Sequence, residues 1–420
     1  MPAIARRSVK IAALGLSLLA VSSVTRAADW LMLQGTEPAS ASARAEVWGF
    51  VQAEFQYIGD IKLPSGSPAA FNRVGPDLSS STSFNIRRAQ LGVRGTGFNL
   101  DSNANYFLAA EWGNNVTTKF GSPQLTDASI SLNYIPYARL RVGQFKTPGS
   151  EEGLQPVASM SYINFTNAAD SLLLERALVT AVNCNGDSCE STADANGAFG
   201  AAFRDIGMQV FDTVKFADWE HSYAFMLADG NGIGRSDNNG AKDYYLYWAS
   251  ERVFSGQGAS RQGWKTFGWY EGGRRLLSGD NFNRSRMGLG SKFLNGSYRV
   301  SGEFVRANGV IFAGTKGATI TDIYTVLLND SAYGWYLDVG YSILPKLGLN
   351  VRWDQLSRGT EINERDYRTI TLGAEYAFNK KTTAIVNYEL RSGAAPNNAN
   401  ADKILGSLAN RFGVQVTAIF

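Results

Sequence analysis

The chain has 420 residues, and its 44 glycines and 12% aromatic residues suit a long β protein with many turns better than a helical one. Four of its 40 basic residues fall in the first 27 positions, so that 36 remain against 37 acidic residues in the rest of the chain. This near-neutral balance excludes the strongly basic class of nucleic-acid-binding proteins, and we expect no nucleic acid among the partners.

The N-terminus has the organisation of an export signal. Three basic residues precede the apolar run IAALGLSLLAV, and the small residues Thr25 and Ala27 follow it. This arrangement predicts a signal peptide over residues 1–27. The run is too short to span a membrane as a helix, and no later stretch has the roughly 18 apolar residues that a helix needs. Residues 28–45 lack a clear period and are interpreted as a short leader with one helical turn.

From Glu46 onward, segments of alternating polar and apolar residues recur along the chain. In EVWGFVQAEFQYI, Val47, Val51 and Tyr57 lie on one side of an extended chain, and glutamate and glutamine residues lie on the other. Sixteen such strands are predicted: 46–58, 84–97, 103–113, 125–135, 138–146, 204–212, 220–229, 242–253, 264–271, 284–294, 297–307, 333–343, 347–358, 367–379, 381–392 and 409–420. An even number of strands of this length is typical of an outer-membrane β-barrel.

The connections between these strands alternate in length, which is a second sign of a barrel. Short turns include TGFNL, IPY and LPK, and Asn295-Gly296 gives the strongest hairpin signal. Long polar stretches occur at 59–81, 113–124, 147–203, 308–332 and 393–408. Bacterial barrels have short periplasmic turns and long external loops. A soluble β-sandwich is the alternative, but the aromatic residues crowd toward the strand ends, as in the interfacial girdles of a barrel.

The final strand, RFGVQVTAIF, alternates up to the last residue, Phe420. An ordered terminus is expected if the last strand pairs with the first and removes the open edges. The terminal aromatic also resembles the signal that the outer-membrane assembly machinery reads. The sequence therefore predicts an all-β fold, a transmembrane antiparallel β-barrel over residues 46–420, embedded in the lipid of the bacterial outer membrane.

Several motifs, taken in order, resemble the phosphate-selective porin O and P family: FNIRRAQLGVRG, LTDASISLNYIPYARLRVGQFKTPGSEEGLQ, LLLERA, RDIGMQV and LADGNG. The resemblance covers most of the chain and is sharpest between residues 84 and 155. It implies a trimer of barrels in which arginines and a central lysine line a narrow anion path. By this resemblance, Arg87 and Arg88 match the paired arginines of the family, Asp127 its LTDA aspartate, and Lys146 its GQFK-P lysine.

Strand parity assigns further charged side chains to the lumen, opposite the apolar faces. Together with Arg88, Asp127 and Lys146, they are Arg94, Arg139, Arg141, Arg286, Lys292, Arg299 and Arg352. Arg87 has the opposite parity, so that either a β-bulge turns it inward or it lies at the rim and snorkels. Each arginine could attract anions in transit or form a salt bridge within the barrel wall.

The segment 147–203 is the third external loop and is too long for a plain connection. Porins commonly fold such a loop into the lumen as a constriction, which would place Glu151, Glu152, Glu175 and Arg176 near the narrowest point. A solvated external lid is the alternative.

Other candidates for chemistry are few. Cys184 and Cys189, in the polar stretch CNGDSC of an exported chain, are predicted to form a small disulfide, with metal binding as the minor alternative. Hydrolytic triads need a histidine, and the single His221 lies near a strand start without a serine elbow. The stretch DGNGIGRSDNNG departs from the spacing of a calcium loop. We therefore expect no enzyme activity, no cofactor and no metal site.

These observations predict a passive diffusion channel for small hydrophilic solutes. A preference for anions such as phosphate is expected because the lumenal strands carry more arginine and lysine than acid. The alternatives are a general or cation-selective porin gated by an acidic constriction loop and, with less support, a barrel enzyme or an adhesin. The implied partners are small ions or solutes in transit, outer-membrane lipid, the assembly machinery, and further copies of the chain in a homotrimer.

Overall fold

A computed structural model describes residues 29–33, 45–59, 82–97, 101–115, 118, 123–174, 183–185, 188–191, 202–256, 261–315, 324–360, 365–406 and 408–420. The predicted signal peptide, residues 1–27, lies outside this described part of the chain.

Strands make up most of the described chain. In order they are β1 (Ala45–Ile58), β2 (Thr82–Gly97), β3 (Asp101–Glu111), β4 (Gln124–Leu132), β5 (Arg139–Lys146), β6 (Asn183–Asn185), β7 (Ser188–Ser191), β8 (Arg204–Phe216), β9 (Trp219–Ala228), β10 (Asp243–Ser255), β11 (Gln262–Leu277), β12 (Asp280–Asn295), β13 (Tyr298–Asn308), β14 (Ile311–Thr315), β15 (Tyr324–Leu327), β16 (Ser331–Leu344), β17 (Leu347–Arg358), β18 (Arg365–Ala377), β19 (Thr382–Ala394) and β20 (Arg411–Ile419).

Helices are short. They are α1 (Trp30–Leu33), α2 (Glu151–Leu154) and α3 (Ala399–Leu405), with a 3-10 turn at Val157–Ser159 and a π turn at Ala169–Leu173. None of the helices among the described residues is long and apolar enough to cross a membrane.

Sixteen of the strands form one closed antiparallel barrel, and β6, β7, β14 and β15 form a separate sheet. Each barrel strand is hydrogen-bonded to its neighbours in chain order, and β20 pairs with β1 to close the ring. At the seam, the Phe420 N–H donates to the Gly49 carbonyl at 2.9 Å, and the Gly49 N–H donates back at 3.2 Å. The predicted fold, strand number and closure are confirmed, while the role of Phe420 as an assembly signal stays a prediction.

The turns follow the predicted alternation of length with one exception. The hairpin at the end of β12 is confirmed, but its two turn residues are Gly296 and Ser297, because Asn295 still pairs with Tyr298. The exception joins β11 to β12, where an external connection consists of Ser278 and Gly279 alone. Both of these residues have positive φ, which is the geometry of a tight type I′ hairpin.

The outer face of the barrel carries the apolar halves of the alternating pattern, with exposed side chains such as Leu289. Aromatic residues pair on this face near both ends of the strands. Tyr298 and Tyr341 have ring centroids 4.9 Å apart beside the turn after β12, and Tyr244 and Tyr270 are 5.7 Å apart at the opposite end. This arrangement is that of a membrane-facing surface with two interfacial girdles.

Candidate functional site

The first part of the third external loop, residues 147–203, enters the barrel. The Ile163 N–H donates to the Asn387 side chain on β19 at 2.8 Å. The Tyr162 hydroxyl donates to Asp338 on β16 at 2.5 Å. Because both partners are inward-facing wall residues, this part of the loop lies in the lumen and reaches the wall opposite its own root.

The same loop also forms part of a sheet outside the barrel ring. Its hairpin, made of β6 and β7, pairs with β15 from the connection between β13 and β16, and the four strands lie in the order β14, β15, β7, β6. One part of the loop thus lies in the lumen and another belongs to a separate sheet, whereas the sequence analysis treated a constriction and an external lid as alternatives. Two of its predicted residues, Glu175 and Arg176, lie outside the described residues.

The two cysteines are direct partners across this hairpin. Cys184 and Cys189 lie opposite each other in the register of β6 and β7, and Cβ atoms of cross-strand partners lie at about the separation that a disulfide needs. The disulfide stays a prediction. Thiol labelling of the denatured, unreduced protein is expected to modify neither cysteine, and full labelling of both would contradict the bond. Because the closed loop is small, a double Cys→Ser variant is expected to fold normally.

The leader segment also lies inside the barrel. Trp30, on α1, is buried, and its indole N–H donates to Glu151 Oε1 at 3.1 Å. The Asp29 carboxylate accepts hydrogen bonds from the hydroxyls of Thr213 at 3.0 Å and Ser222 at 2.6 Å, on the adjacent strands β8 and β9. The sequence predicted the helical turn but gave no indication that it enters the lumen.

Apolar side chains from the leader, the loop and the wall form one cluster inside the barrel. Its main members are Trp30, Leu31, Leu154, Leu172, Leu173, Phe211, Tyr247, Phe267, Trp269, Val305 and Leu356. Wall positions that face a water-filled channel are usually polar. These positions are apolar because the leader and the loop cover them, so that part of the lumen is a packed hydrophobic core.

Glu151 is the centre of an ion-pair cluster where the leader, the loop and the wall meet. Its carboxylate accepts hydrogen bonds from Lys265 Nζ and, at 3.0 Å, from Lys292 Nζ. All three residues are less than a tenth exposed. Burial acts to raise the pKa of Glu151, but the two ammonium groups outweigh it and lower the pKa to about 2. The loop therefore inserts an ionised carboxylate between two buried lysines.

Glu152, the second predicted loop acid, also binds the wall. It accepts hydrogen bonds from the backbone and hydroxyl of Thr166, and Arg352 donates to it at 3.3 Å. Burial raises the pKa of Glu152 although Arg352 acts to lower it. Next to this contact, Asp354 accepts a hydrogen bond from the Asn167 N–H at 2.9 Å. The two described acids of the predicted constriction, Glu151 and Glu152, thus have hydrogen-bonding partners.

Arg299 ties the loop to the wall. Its guanidinium donates to both oxygens of Asp338, at 3.1 and 3.2 Å, and to Asn350 at 2.9 Å. A further hydrogen bond of 2.7 Å reaches the hydroxyl of Ser161 in the loop. A bidentate pair of this kind fixes geometry as well as charge, so that Arg299 is a structural contact of the loop.

Two other predicted pore cations bind backbone carbonyls. Lys146 Nζ donates to the carbonyl oxygens of residues 153–155 at 2.7 to 3.3 Å, at the end of α2. Arg286 donates to the Leu172 carbonyl at 3.2 Å and the Val310 carbonyl at 2.9 Å. Both side chains lie on the lumenal side as predicted, but the contacts place them as anchors of the loops.

Arg87 points into the lumen because of a bulge. The register of β1 and β2 shifts between Gln52 and Ala53 and leaves Arg87 as the extra residue. Its guanidinium donates to Glu54 at 3.2 Å and to Asn164 of the loop at 3.0 Å. Of the two interpretations that its parity left open, the structure has the bulge.

Arg139 and Arg141 lie on β5 and make different contacts. Arg139 forms a salt bridge of 3.3 Å with Asp212. Arg141 is buried, and its guanidinium stacks over Phe211 with 4.5 Å to the ring centroid. Cation–π stacking of a desolvated guanidinium is favourable and keeps the charge at the inner wall.

A cavity of about 430 Å³ lies between the loop and the wall formed by β1 to β5. Its charged lining comprises the cations Arg88, Arg94, Arg141, Lys146 and Arg204 and the acids Glu111, Asp127 and Glu152. Arg88 donates to the Gln52 amide oxygen at 2.9 Å, and among the described residues no carboxylate pairs with it. On the other side of the loop, near Arg299 and Arg352, the free space is about 50 Å³.

Sequence reasoning missed three charged residues of this region. Lys265, which binds Glu151, has the inward parity of β11 and was recoverable from the alternation. Arg204, the first residue of β8, pairs with Asp127 at 3.1 Å, although it has the parity of the exposed residues Met208 and Val210. Asp338, the partner of Arg299, also has inward parity.

Two aspartates of the glycine-rich segment 229–240 form salt bridges with one lysine. Lys242 Nζ donates to Asp229 at 2.8 Å and to Asp237 at 2.5 Å. Within the described ranges, no group of three or more His, Cys, Asp and Glu side chains is placed to hold a metal ion.

Comparison with known proteins gives a family and a fold. Residues 69–253 match the family described as phosphate-selective porin O and P. Among curated proteins, no significant match is found.

Several solved structures are similar over nearly the whole chain. OmpT of Vibrio cholerae, in its in-vitro folded trimer form, is 11% identical with a TM-score of 0.51 and covers 90% of this chain and 100% of its own. OmpF of Salmonella typhi, in a complex with daunomycin, is 13% identical with a TM-score of 0.54 and coverages of 90% and 98%. The outer-membrane channel DcaP of Acinetobacter baumannii is 11% identical with a TM-score of 0.53 and coverages of 92% and 100%.

At these identities the solved structures establish the fold alone, and the family match covers residues 69–253. The family match favours a channel over an enzyme. The resemblance found in the motifs is confirmed by the family match over residues 69–253, and the chain is a porin-type β-barrel of the bacterial outer membrane.

Proposed function

We propose that the protein is a diffusion channel that prefers anions, with its path through the cavity between the third loop and β1 to β5. The observation that carries this proposal is the lining of that cavity, with five cations against three acids. Arg88 supplies a guanidinium that forms no salt bridge with a described carboxylate. An excess of positive charge in a narrow, low-dielectric passage raises the local anion concentration. Guanidinium groups also suit phosphate oxygens, so that phosphate is among the proposed solutes.

The cation-selective alternative depends on free acids in the loop. Glu151 lies between Lys265 and Lys292, and Glu152 accepts a hydrogen bond from Arg352. Their negative charge is balanced where they stand, which supports the anion-preferring proposal over a loop that attracts cations. The inner part of the loop would then act as the constriction by its volume and by its anchoring.

A homotrimer is the proposed assembly. The structurally similar OmpT is described in a trimer form, and the broad apolar outer surface of this barrel could be partly buried between copies. Unheated protein in mild detergent electrophoresis is expected to migrate as a large species that collapses to the monomer on boiling. Migration at monomer size under every mild condition would contradict the trimer.

Ion selectivity is expected to depend on Arg88. In a tenfold KCl gradient across a planar bilayer, the reversal potential of the native protein should show chloride to be more permeant than potassium. Arg88→Glu replaces the uncompensated cation of the cavity by an anion, and we expect the permeability ratio of chloride to potassium to fall by roughly threefold or more.

The matched control is Lys380→Glu, which makes the same change of charge in the exposed turn between β18 and β19. Its effect should be small because a charge in open solvent is screened within about 10 Å at ordinary salt. A native channel that passes potassium better than chloride would overturn the proposed preference. Equal shifts of the permeability ratio in the two variants would show that Arg88 does not lie in the ion path.

A further inference from the structure

Aromatic rings form an unusual part of the lining of the proposed anion path. Trp48, Phe107, Phe165 and Phe203 all line the 430 Å³ cavity, and each ring is only half-buried. Trp48 and Phe107 lie on inward-facing positions of β1 and β3. In a water-filled barrel such positions are usually polar, because a wetted aromatic face gains nothing from its exposure.

The rings are arranged in two pairs. Trp48 and Phe107 stack with centroids 5.4 Å apart and an interplanar angle of 26°. Phe165 and Phe203, from the inner and final parts of the loop, meet edge to face at 5.4 Å and 67°. The cavity thus has an aromatic pair on the barrel wall and another on the loop.

The backbone of β2 makes room for the wall pair. Trp48 on β1 reaches across β2 to Phe107 on β3, and the residue it crosses is Gly92. A Cβ atom at Gly92 would lie 2.5 Å from the indole ring. The glycine therefore lets the indole lie against the wall, next to a cavity that also contains the guanidinium of Arg88.

We propose that this cavity is a binding site for small aromatic carboxylates, which deepens the proposed function by naming a class of solute. A cavity of this size is within the range of small-molecule sites. The carboxylate would be held by Arg88, and the flat apolar body would cover the rings and displace water from them. Chloride or inorganic phosphate has no apolar part, so it would contact only the cations and would leave the aromatic faces exposed to water.

The test compares benzoate with acetate, which carry the same charge at pH 7 and differ in the ring. Each is added to the native trimer in a planar bilayer while chloride carries the current. Benzoate is expected to reduce the current at a concentration about tenfold lower than acetate. Phe107→Leu keeps an apolar side chain but removes one ring of the wall pair, and it should lower this tenfold preference to about threefold or less.

Phe282→Leu is the matched control, because Phe282 lies on β12 and does not line the cavity. It should keep the tenfold preference. Equal block by benzoate and acetate in the native protein, or an equal loss in both variants, would overturn the aromatic site. This outcome is separate from a failure of the proposed function, which appears as a preference for potassium in the KCl gradient. A potassium-preferring channel that still shows the Phe107-dependent benzoate block would support the site alone.

Discussion

Deletion of residues 29–33 is expected to raise the single-channel conductance by roughly twofold, because these residues occupy lumen that water and ions would otherwise fill. Trp30 is buried between Glu151 and the hydrophobic cluster, and Asp29 is held by hydroxyls of β8 and β9. The measurement is the current step of single channels in a planar bilayer at fixed KCl concentration.

A point substitution tests the same idea with less disturbance of the chain. Trp30→Ala removes the largest side chain of the segment and its hydrogen bond to Glu151. We expect a smaller increase in the same direction. Trp264→Ala is the control, since Trp264 lies on the outer face of β11, beside the inward-facing Lys265, and is 45% exposed. Unchanged conductance in both the deletion and Trp30→Ala, with both variants folded as the native protein is, would show that the segment does not limit the current.

The position of this segment illustrates what the sequence could and could not predict. Barrel strands have a period that is local, so that sixteen strands, their faces and their order followed from the alternation alone. Residues 29–33 have no period that indicates a partner. Their contacts are with residues more than a hundred positions away, such as Glu151 and Thr213, and such contacts leave no local pattern in the sequence.

The filled lumen also explains where the alternation misled. Phe267 and Trp269 point inward on β11, at positions that are usually polar in a barrel with a water-filled lumen. They are buried by the loop and the leader, so that the rule of an open channel does not apply to them. The same effect makes Lys146 and Arg286 anchors of the loops, because loop carbonyls come within reach of their charges, while their predicted role as anion contacts stays a prediction.

Charge pairing across long distances was the least predictable part of the site. Lys292 and Arg352 have lumenal parity, but the sequence could not say that Glu151 and Glu152 would pair with them. An excess of positive charge lines the cavity near β1 to β5, where Arg88 forms no salt bridge with a described acid. A count of lumenal charges along the strands would miss this asymmetry.

The stability of the folded barrel is expected to depend strongly on Glu151. Glu151→Gln leaves Lys265 and Lys292 buried next to each other without their carboxylate. Removing one partner of a buried ion pair costs about 3–5 kcal/mol, because the remaining charge is neither solvated nor compensated. We expect a loss of this size in the free energy of unfolding, measured by urea titration of the protein in detergent micelles.

Two further variants separate this cause from general damage. Glu220→Gln removes one of the two carboxylates that pair with Arg261, in a partly exposed position, and should cost less than about 1 kcal/mol. Adding Lys265→Met to Glu151→Gln removes one of the two ammonium groups that lack their carboxylate. The double variant should therefore recover part of the lost free energy of unfolding. A Glu151→Gln variant as stable as the native protein, or a double variant less stable than the single one, would contradict the role assigned to this cluster.

The loss should also depend on pH in a defined window. The pKa of Glu151 in the folded protein is lowered to about 2 from an ordinary value of 4.5, so that its ionised form stabilises the fold above pH 4.5. This contribution decreases as the pH falls through that interval toward 2, where the folded protein also takes up the proton. The difference in unfolding free energy between native protein and Glu151→Gln is therefore expected to be constant from pH 5 to 7 and to shrink between pH 4.5 and 2. A difference that instead grows on acidification would mean that the two lysines do not hold Glu151 in its ionised form.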